Sequence, residues 1–217
     1  MAPSNGLFIA LEGGEGAGKT TLLEGLSQRL QRAGLDVVAV REPGGTRFGE
    51  RAREILATED LSPWAEALTF LAARAELVER VLRPVLSQGG AVICDRFAAS
   101  TFAYQGYGRG LDITALKLAN RIATGDLAPD LTVLLDIDPN VGLARKEGEQ
   151  GAVRTGNEGL EFHRRVREGF LELSLAAPAG TWVKIDASLP AAEVIEKVWG
   201  VVSPRLHRLV KHQPGEA

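Results

Sequence analysis

The sequence predicts an α/β fold in three layers, with a five-stranded parallel sheet, helices on both faces and one domain over residues 1–217. Three observations carry that reading. Short apolar runs alternate along the chain with longer stretches of helical periodicity, the order that a parallel sheet with crossover helices requires. The first apolar run, Leu7–Leu11, breaks into glycines and reopens as an amphipathic stretch at Lys19. No internal repeat or long linker divides the 217 residues, and a chain of that length can bury a substantial core as one unit.

The elements follow in order. Leu7–Leu11 is the first strand. Lys19–Ala33 is the first helix: Leu22, Leu23, Leu26 and Leu30 keep a helical period, and Gly34 suits the left-handed residue that ends it. Asp36–Val40 reads as the second strand, closed by Arg41-Glu42-Pro43-Gly44-Gly45-Thr46, where Pro43 and the glycines make a rigid loop. A short helix is expected over Gly49–Leu56. Ser62-Pro63 is a start signal, with serine as cap and proline in the first turn. That helix runs to about Arg83, where Pro84 kinks or ends it.

Gly89-Gly90 leads into the third strand, Ala91–Cys94, which closes with Asp95-Arg96-Phe97. Residues 98–110 read as a polar, glycine-containing connection. Asp112 caps a helix that stops near Gly125. Asp130–Asp136 is the fourth strand, and Asp138-Pro139 starts the next helix. It runs into residues 145–157, polar and glycine-rich, with Val153 as the one apolar anchor. A solvated loop and a mobile lid that carries cations to a nucleotide both fit this stretch. Glu158–Ala176 returns as a helix with Phe162, Val166, Phe170 and Leu173 on one face. Thr181–Asp186 is the fifth strand. Ser188 and Pro190 open a final helix to about Val202, followed by a short helical segment and a polar tail.

Composition narrows the function. The chain is 45% hydrophobic and 24% charged, and 25 basic against 28 acidic residues leave a net charge of −3. That balance argues against bulk attraction to nucleic acid or to an anionic membrane. The single cysteine, Cys94, cannot form an intrachain disulfide, which suits a reducing cytoplasm. The first residues lack the basic start of a secretory leader, and the apolar run after them is too short for a membrane span. A soluble cytoplasmic protein is expected. His163, His207 and His212 are scattered, are expected to be exposed and receive no role.

The chemistry starts at Gly13-Gly14-Glu15-Gly16-Ala17-Gly18-Lys19-Thr20, which fits G-x-x-x-x-G-K-[ST], followed by Thr21. Glycines let backbone N–H groups approach phosphate oxygens, and the helix opening at Lys19 aims its positive end at the same anion. Lys19 supplies a full charge, and the Thr20 hydroxyl can ligate a phosphate-bound Mg²⁺. In open parallel sheets ligands bind at the carboxyl ends of strands. Polar residues crowd three such ends: Glu12–Thr20, Arg41–Thr46 and Asp95-Arg96. Asp95 suits a second Mg²⁺ carboxylate, Arg96 the phosphoryl groups in exchange, and Arg41 the phosphate of an acceptor. Phe70 and Arg74 stand one helical turn apart, so a base could stack on one and bond the other. On composition alone Phe70 reads as core and Arg74 as surface.

Together these motifs resemble the thymidylate kinase family. The resemblance rests on the phosphate loop Glu12–Thr21, Arg41-Glu42-Pro43-Gly44-Gly45-Thr46, Phe70 with Ala72-Ala73-Arg74, Asp95-Arg96, Ser100-Thr101 with Tyr104-Gln105-Gly106, and Pro129-Asp130-Leu131-Thr132. It implies a three-layer P-loop kinase fold with a mobile lid and transfer of the ATP γ-phosphoryl group to dTMP. It also implies Mg²⁺ as cofactor and a homodimer, for which the apolar helix Trp64–Leu86 is one candidate face. ATP would lie on Gly13, Gly14, Glu15, Gly16, Ala17, Gly18, Lys19, Thr20, Thr21 and Arg145. The acceptor would meet Glu15, Arg41, Glu42, Pro43, Phe70, Arg74, Arg96, Ser100, Thr101, Tyr104 and Gln105. In that scheme Glu15 faces the sugar 3′-hydroxyl, Phe70 stacks on thymine, Arg74 and Thr101 bond its O4 and N3 edge, and Tyr104 crowds the 2′ position. Catalysis would rest on Lys19, Arg96, Glu15 and a lid cation.

Some members, including the human and yeast enzymes, carry an arginine directly after the loop acid. This chain has Gly16 there and so resembles the bacterial type, in which lid residues supply the charge. Arg145, Lys146 and Arg154 are the candidates, Arg154 the best placed, although this lid carries fewer arginines than the type leads one to expect. Other P-loop kinases, acting on another pyrimidine nucleotide or a deoxynucleoside, share much of this pattern. A GTPase switch should show Asn-Lys-x-Asp, which the chain lacks. A vestigial binding module does not fit intact Lys19, Thr20 and Asp95.

Overall fold

The computed structural model describes residues 6–146 and 158–210. Its centre is β1 (Leu7–Gly13), buried at every residue. β1 lies between β3 (Ala91–Asp95) and β4 (Leu131–Asp136), with β2 (Val37–Arg41) and β5 (Trp182–Asp186) at the edges. All four pairings are parallel, in the order β2-β3-β1-β4-β5. Because strand side chains alternate, Leu7, Ile9 and Leu11 face one layer while Phe8 and Ala10 face the other. The first layer is α1 (Lys19–Arg32) and α9 (Ala191–Val210), joined through Leu22, Leu26, Val194 and Val198. On the second face β1 and β3 meet Leu77, Val78, Leu82 and Leu86, and β4 meets α8 (Leu160–Ala176) through Leu134, Phe162, Val166 and Phe170.

Five parallel strands between two helical layers were the expected architecture. Three local expectations are corrected. The helix from Pro63 does not end near Arg83. It runs as α3 (Pro63–Leu77), a π-turn (Val78–Leu82) and α4 (Arg83–Ser87). Pro84 has no N–H and its ring crowds the carbonyl four residues back, and a widened turn just before it accommodates both.

Residues 98–110 are not an irregular connection. They form α5 (Ala98–Thr101) and a π-helical stretch, Phe102–Gly108, with Ala103, Tyr104, Gln105, Gly106 and Gly108 buried. The glycines that read as breakers serve packing. A Cβ on Gly108 would stand 2.6 Å from the Phe162 ring, and one on Gly169 2.6 Å from the Tyr107 ring. The third correction is at the C-terminal end, where one helix, α9, spans both predicted segments and contains Pro204.

The remaining elements are α2 (Arg47–Thr58), α6 (Ile113–Thr124) and α7 (Pro139–Lys146). Thr46 caps α2 by accepting from the Gly49 N–H, and Asp112 caps α6 by accepting from Ala115. His163 is 4% exposed, against the expectation of exposure, because its helix turns it inward beside Phe162. His212 and most of the predicted lid, including Arg154, lie outside the described residues.

Candidate functional site

Strand register brings the polar residues together. Leu11 pairs with Asp95, and Asp95 pairs with Arg41, so the ends of β1, β3 and β2 lie abreast. From Gly13 the chain folds into the phosphate loop, with left-handed backbone at Gly16 (φ 64°) and Gly18 (φ 84°). Lys19 is buried and its Nζ donates to the loop's own carbonyls, to Gly13 at 3.2 Å and Gly14 at 2.8 Å. Burial pulls its pKa down, Arg96 adds to that, and Asp95, Glu15 and Glu12 oppose it, leaving about 8. An arriving phosphate offers the ammonium a full charge in place of two carbonyl dipoles.

Beside the loop lies a cavity of about 590 Å³ lined by Gly16–Leu22, Asp95, Arg145, Lys146 and the segment Ala187–Ala191 with Val194 and Ile195. Its one end is made of loop amides and Lys19, and its other of small apolar residues. That division suits a nucleotide, with phosphates at the loop and a flat base against the apolar wall. Arg145 stands at this wall with its guanidinium 2.9 Å from the Ala187 carbonyl. Thr20 and Thr21 are exposed in the first turn of α1. Asp95 lines the same cavity and has a buried carboxylate oxygen, Oδ1, without a hydrogen-bond partner. A hydroxyl and an unsatisfied carboxylate oxygen are hard donors of the kind Mg²⁺ takes.

Glu15 is the hub. Its carboxylate accepts from Arg96 at 2.8 Å, from the Tyr104 hydroxyl at 3.0 Å and from Lys146. Burial pushes its pKa up, but Arg96, Lys19 and Lys146 outweigh that and hold it well below the usual carboxylate range. Arg96 also donates to the Gly13 carbonyl at 3.2 Å and to Ser100 Oγ at 3.3 Å, and stacks 4.9 Å over the Tyr104 ring. Of the lid cations, Lys146 therefore reaches the loop acid and Arg145 does not. Burial and Glu15 together push the Tyr104 hydroxyl up, against the nearby Arg96 charge.

The residues expected to meet the acceptor gather around Arg74, and here the structure departs from the surface reading. Arg74 is 1% exposed. Nε bonds Glu42 at 2.8 Å, NH1 bonds Thr101 at 3.0 Å and Asn120 at 2.9 Å, and NH2 bonds the Phe97 carbonyl at 3.0 Å and pairs with Glu42 at 2.6 Å. Four hydrogen bonds and an ion pair thus engage all three guanidinium nitrogens, so contact with a base requires sharing one of these bonds. Burial raises the pKa of Glu42 against the lowering effect of Arg74. Phe70 is half-buried one turn before Arg74. Pro43 is buried, and its carbonyl accepts from Arg53 at 3.3 Å. Gln105 is tied by its Nε2 to Glu66 at 2.7 Å, and Glu66 is held in turn by Arg109 at 3.0 Å.

Several participants were not visible in the sequence. Arg53 on α2 is partly buried, and burial together with the neighbouring charges of Arg41 and Arg96 lowers its pKa. Arg41 itself is largely exposed, 3.8 Å from Glu50. Arg41, Arg53 and Arg96 thus place three positive charges in one corner. In the sequence Glu12 only opens the stretch Glu12–Thr21. It is fully buried and accepts from Phe97 N at 2.9 Å, Ser100 N at 3.2 Å and Ser100 Oγ at 2.5 Å. Burial lifts its pKa to about 7, against lowering by Ser100, Arg96, the Phe97 amide and Arg74. Ser100, assigned above to the acceptor, is therefore bonded to Glu12 and Arg96. The wall Ala187–Ala191 carried no motif at all.

A parallel sheet, a phosphate loop with Lys19 and Thr20, and a second cationic pocket at the neighbouring strand ends define a P-loop nucleotide kinase. The thymidylate kinase family model matches residues 11–198, and the chain belongs to that family. It is 52% identical over 202 residues to a thymidylate kinase of Synechococcus sp. (strain JA-3-3Ab), covering 92% of this chain and 97% of that one. The thymidylate kinase of Deinococcus radiodurans is 48% identical over 206 residues, 94% and 100% of the two chains. That of Thermomicrobium roseum is 49% identical over 203 residues, 93% and 96%.

Proposed function

We infer that this protein transfers the γ-phosphoryl group of ATP to dTMP, giving ADP and dTDP. The observation that supports it most is the Glu15 hub, where the donor loop and acceptor residues Arg96 and Tyr104 meet on one carboxylate. The dTMP phosphate oxygen is already anionic and needs no strong base. Positioning and neutralisation of charge supply the rate. Lys19 and the loop amides hold the donor phosphates. Arg41, Arg53 and Arg96 draw in the acceptor phosphate, and Arg96 also meets the phosphoryl group in transfer. Phe70 stacks on thymine, with Thr101, held by Arg74, at its polar edge. A site of buried, specifically paired polar groups rejects bases that leave them unpaired. Tyr104 stands over the sugar beside Glu15. Thr20 and Asp95 would hold Mg²⁺, which supplies charge neutralisation between the phosphates.

ADP release from Mg-ATP, measured across a panel of nucleosides and their monophosphates, tests this reading. Turnover with dTMP is expected to exceed that with every other acceptor, and removal of Mg²⁺ is expected to abolish it. A clear preference for another acceptor would overturn the dTMP assignment.

A homodimer fits the surface. Phe48 and Ile55 on α2, Trp64 and Leu68 on α3, and Leu118 and Ile122 on α6 are large, apolar and exposed, and these helices are neighbours. Several such side chains on adjoining helices mark an interface. The protein is expected to sediment as a dimer and Leu68→Asp as a monomer; a monomeric wild type refutes the assignment. No described helix is long and apolar enough to cross a membrane. A cytoplasmic location agrees with that and with a single, buried, unpaired cysteine.

A further inference from the structure

Arg96 has an unusual backbone. Its φ of 71° is left-handed, and among the described residues it shares a positive φ only with Asp126 and glycines. A non-glycine residue persists there only where its surroundings over-determine it. Here three bonds do so. The Arg96 N–H donates to the Leu11 carbonyl at 2.9 Å. The Arg96 carbonyl accepts from the Cys94 thiol at 3.0 Å. The next amide, Phe97 N–H, donates to Glu12 Oε1 at 2.9 Å. The other Glu12 oxygen takes the Ser100 hydroxyl, whose oxygen in turn accepts from the Arg96 guanidinium. Glu12 thus touches both the backbone and, through Ser100, the side chain of Arg96.

We propose that Glu12 is a positioning residue for Arg96: from the penultimate position of β1, just before the phosphate loop, it clamps the strained backbone that aims the guanidinium at the transferred phosphoryl group. Cys94 is the second jaw. The bonds explain why a carboxyl is kept in a fully buried place with no cation in ion-pair contact among the described residues. Oε1 takes both amides and Oε2 the hydroxyl, so a planar group with two polar atoms at this reach holds Phe97 N, Ser100 N and Ser100 Oγ at once, and a hydrocarbon holds none. The charged and titratable groups around it are Arg96 from the β3–α5 turn, Arg74 from α3, Lys19 from α1 and Cys94 from β3. None of them substitutes for those bonds. The inference rests on the phosphoryl-transfer role given to Arg96 above.

Two variants and two readouts test it. Glu12→Met keeps the length and removes the acceptors. It is expected to lower kcat for dTMP about 100-fold, the scale of losing one aimed donor, with KM for ATP within about threefold. Glu12→Gln keeps an oxygen for Phe97 N and can donate to Ser100 Oγ, so it is expected to stay within about fivefold of wild-type kcat. Hydrogen exchange at the Phe97 amide is expected to be slow in wild type and in the Gln variant, and fast in the Met variant. That exchange is read without turnover, so it stands or falls separately from the dTMP assignment. Unchanged kcat or unchanged exchange in Glu12→Met overturns the clamp, as does a Gln variant as impaired as the Met variant. If Glu12→Met does not fold, Cys94→Ala carries the test: its kcat is expected to fall about fivefold, and a value within twofold of wild type overturns the proposal.

Discussion

Arg96→Ala is expected to lower kcat for dTMP about 1000-fold while leaving the far-ultraviolet circular dichroism of the fold unchanged. The magnitude is that of an arginine which stabilises charge during phosphoryl transfer. The geometry explains why the effect falls on turnover. Arg96 bridges the Gly13 carbonyl, Glu15 and Ser100 and lies over the Tyr104 ring, so its fork joins the β3–α5 turn to the phosphate loop. The fold has less to lose. Without Arg96, Glu15 keeps Lys146 and the charge of Lys19. KM for dTMP is expected to rise about tenfold through the lost phosphate contact. Arg96→Lys should fall between the two, because a point charge cannot serve three partners of a planar fork. Steady-state kinetics of purified variants at matched pH decide it, and near-normal turnover of Arg96→Ala would remove Arg96 from the mechanism.

The largest loss of stability is expected from Arg74→Met. The change leaves Glu42 buried without its cation, and leaves Asn120 Oδ1 and the Phe97 carbonyl short of a donor. Breaking a buried pair from one side costs about 3–5 kcal/mol. In a chain of this size each kcal/mol moves the melting temperature about 2–4 °C, so a fall of about 10 °C is expected in thermal denaturation. The double variant Arg74→Met with Glu42→Met is expected to recover much of that loss, since the stranded charge goes too. Activity should not follow. Thr101 and the Arg41–Pro43 turn remain unaligned in the double variant, so KM for dTMP should stay at least about tenfold high. Recovery of both together would assign Arg74 to structure alone.

These two residues also mark what could be read in advance. The sheet, its strand ends and the phosphate loop were legible because their signals are local: an apolar run, a glycine-rich turn, a helical period. Arg96 was legible for the same reason, being the polar residue that follows a strand. Arg74 was legible as a site residue only through resemblance. Its burial depends on Glu42, Thr101 and Asn120, up to 46 positions away in the chain. Glu12 was hidden in the same way, since a glutamate at a strand end reads as solvated until α5 closes over it. Residues 98–108 misled because glycine is ambiguous: Gly108 breaks no helix and instead admits the Phe162 ring. The wall at Ala187–Ala191 was hidden because Ser188 and Pro190 read only as a helix start.

Gly16 has a reach beyond its own turn. With a φ of 64°, it lies so close to the carbonyl of Gly142 on α7 that no side chain fits between them. An arginine at this position and the present seat of α7 are therefore mutually exclusive. Any side chain at position 16 must displace α7, and with it the Lys146 that reaches Glu15. One backbone contact thus decides which element can carry a cation beside the loop acid.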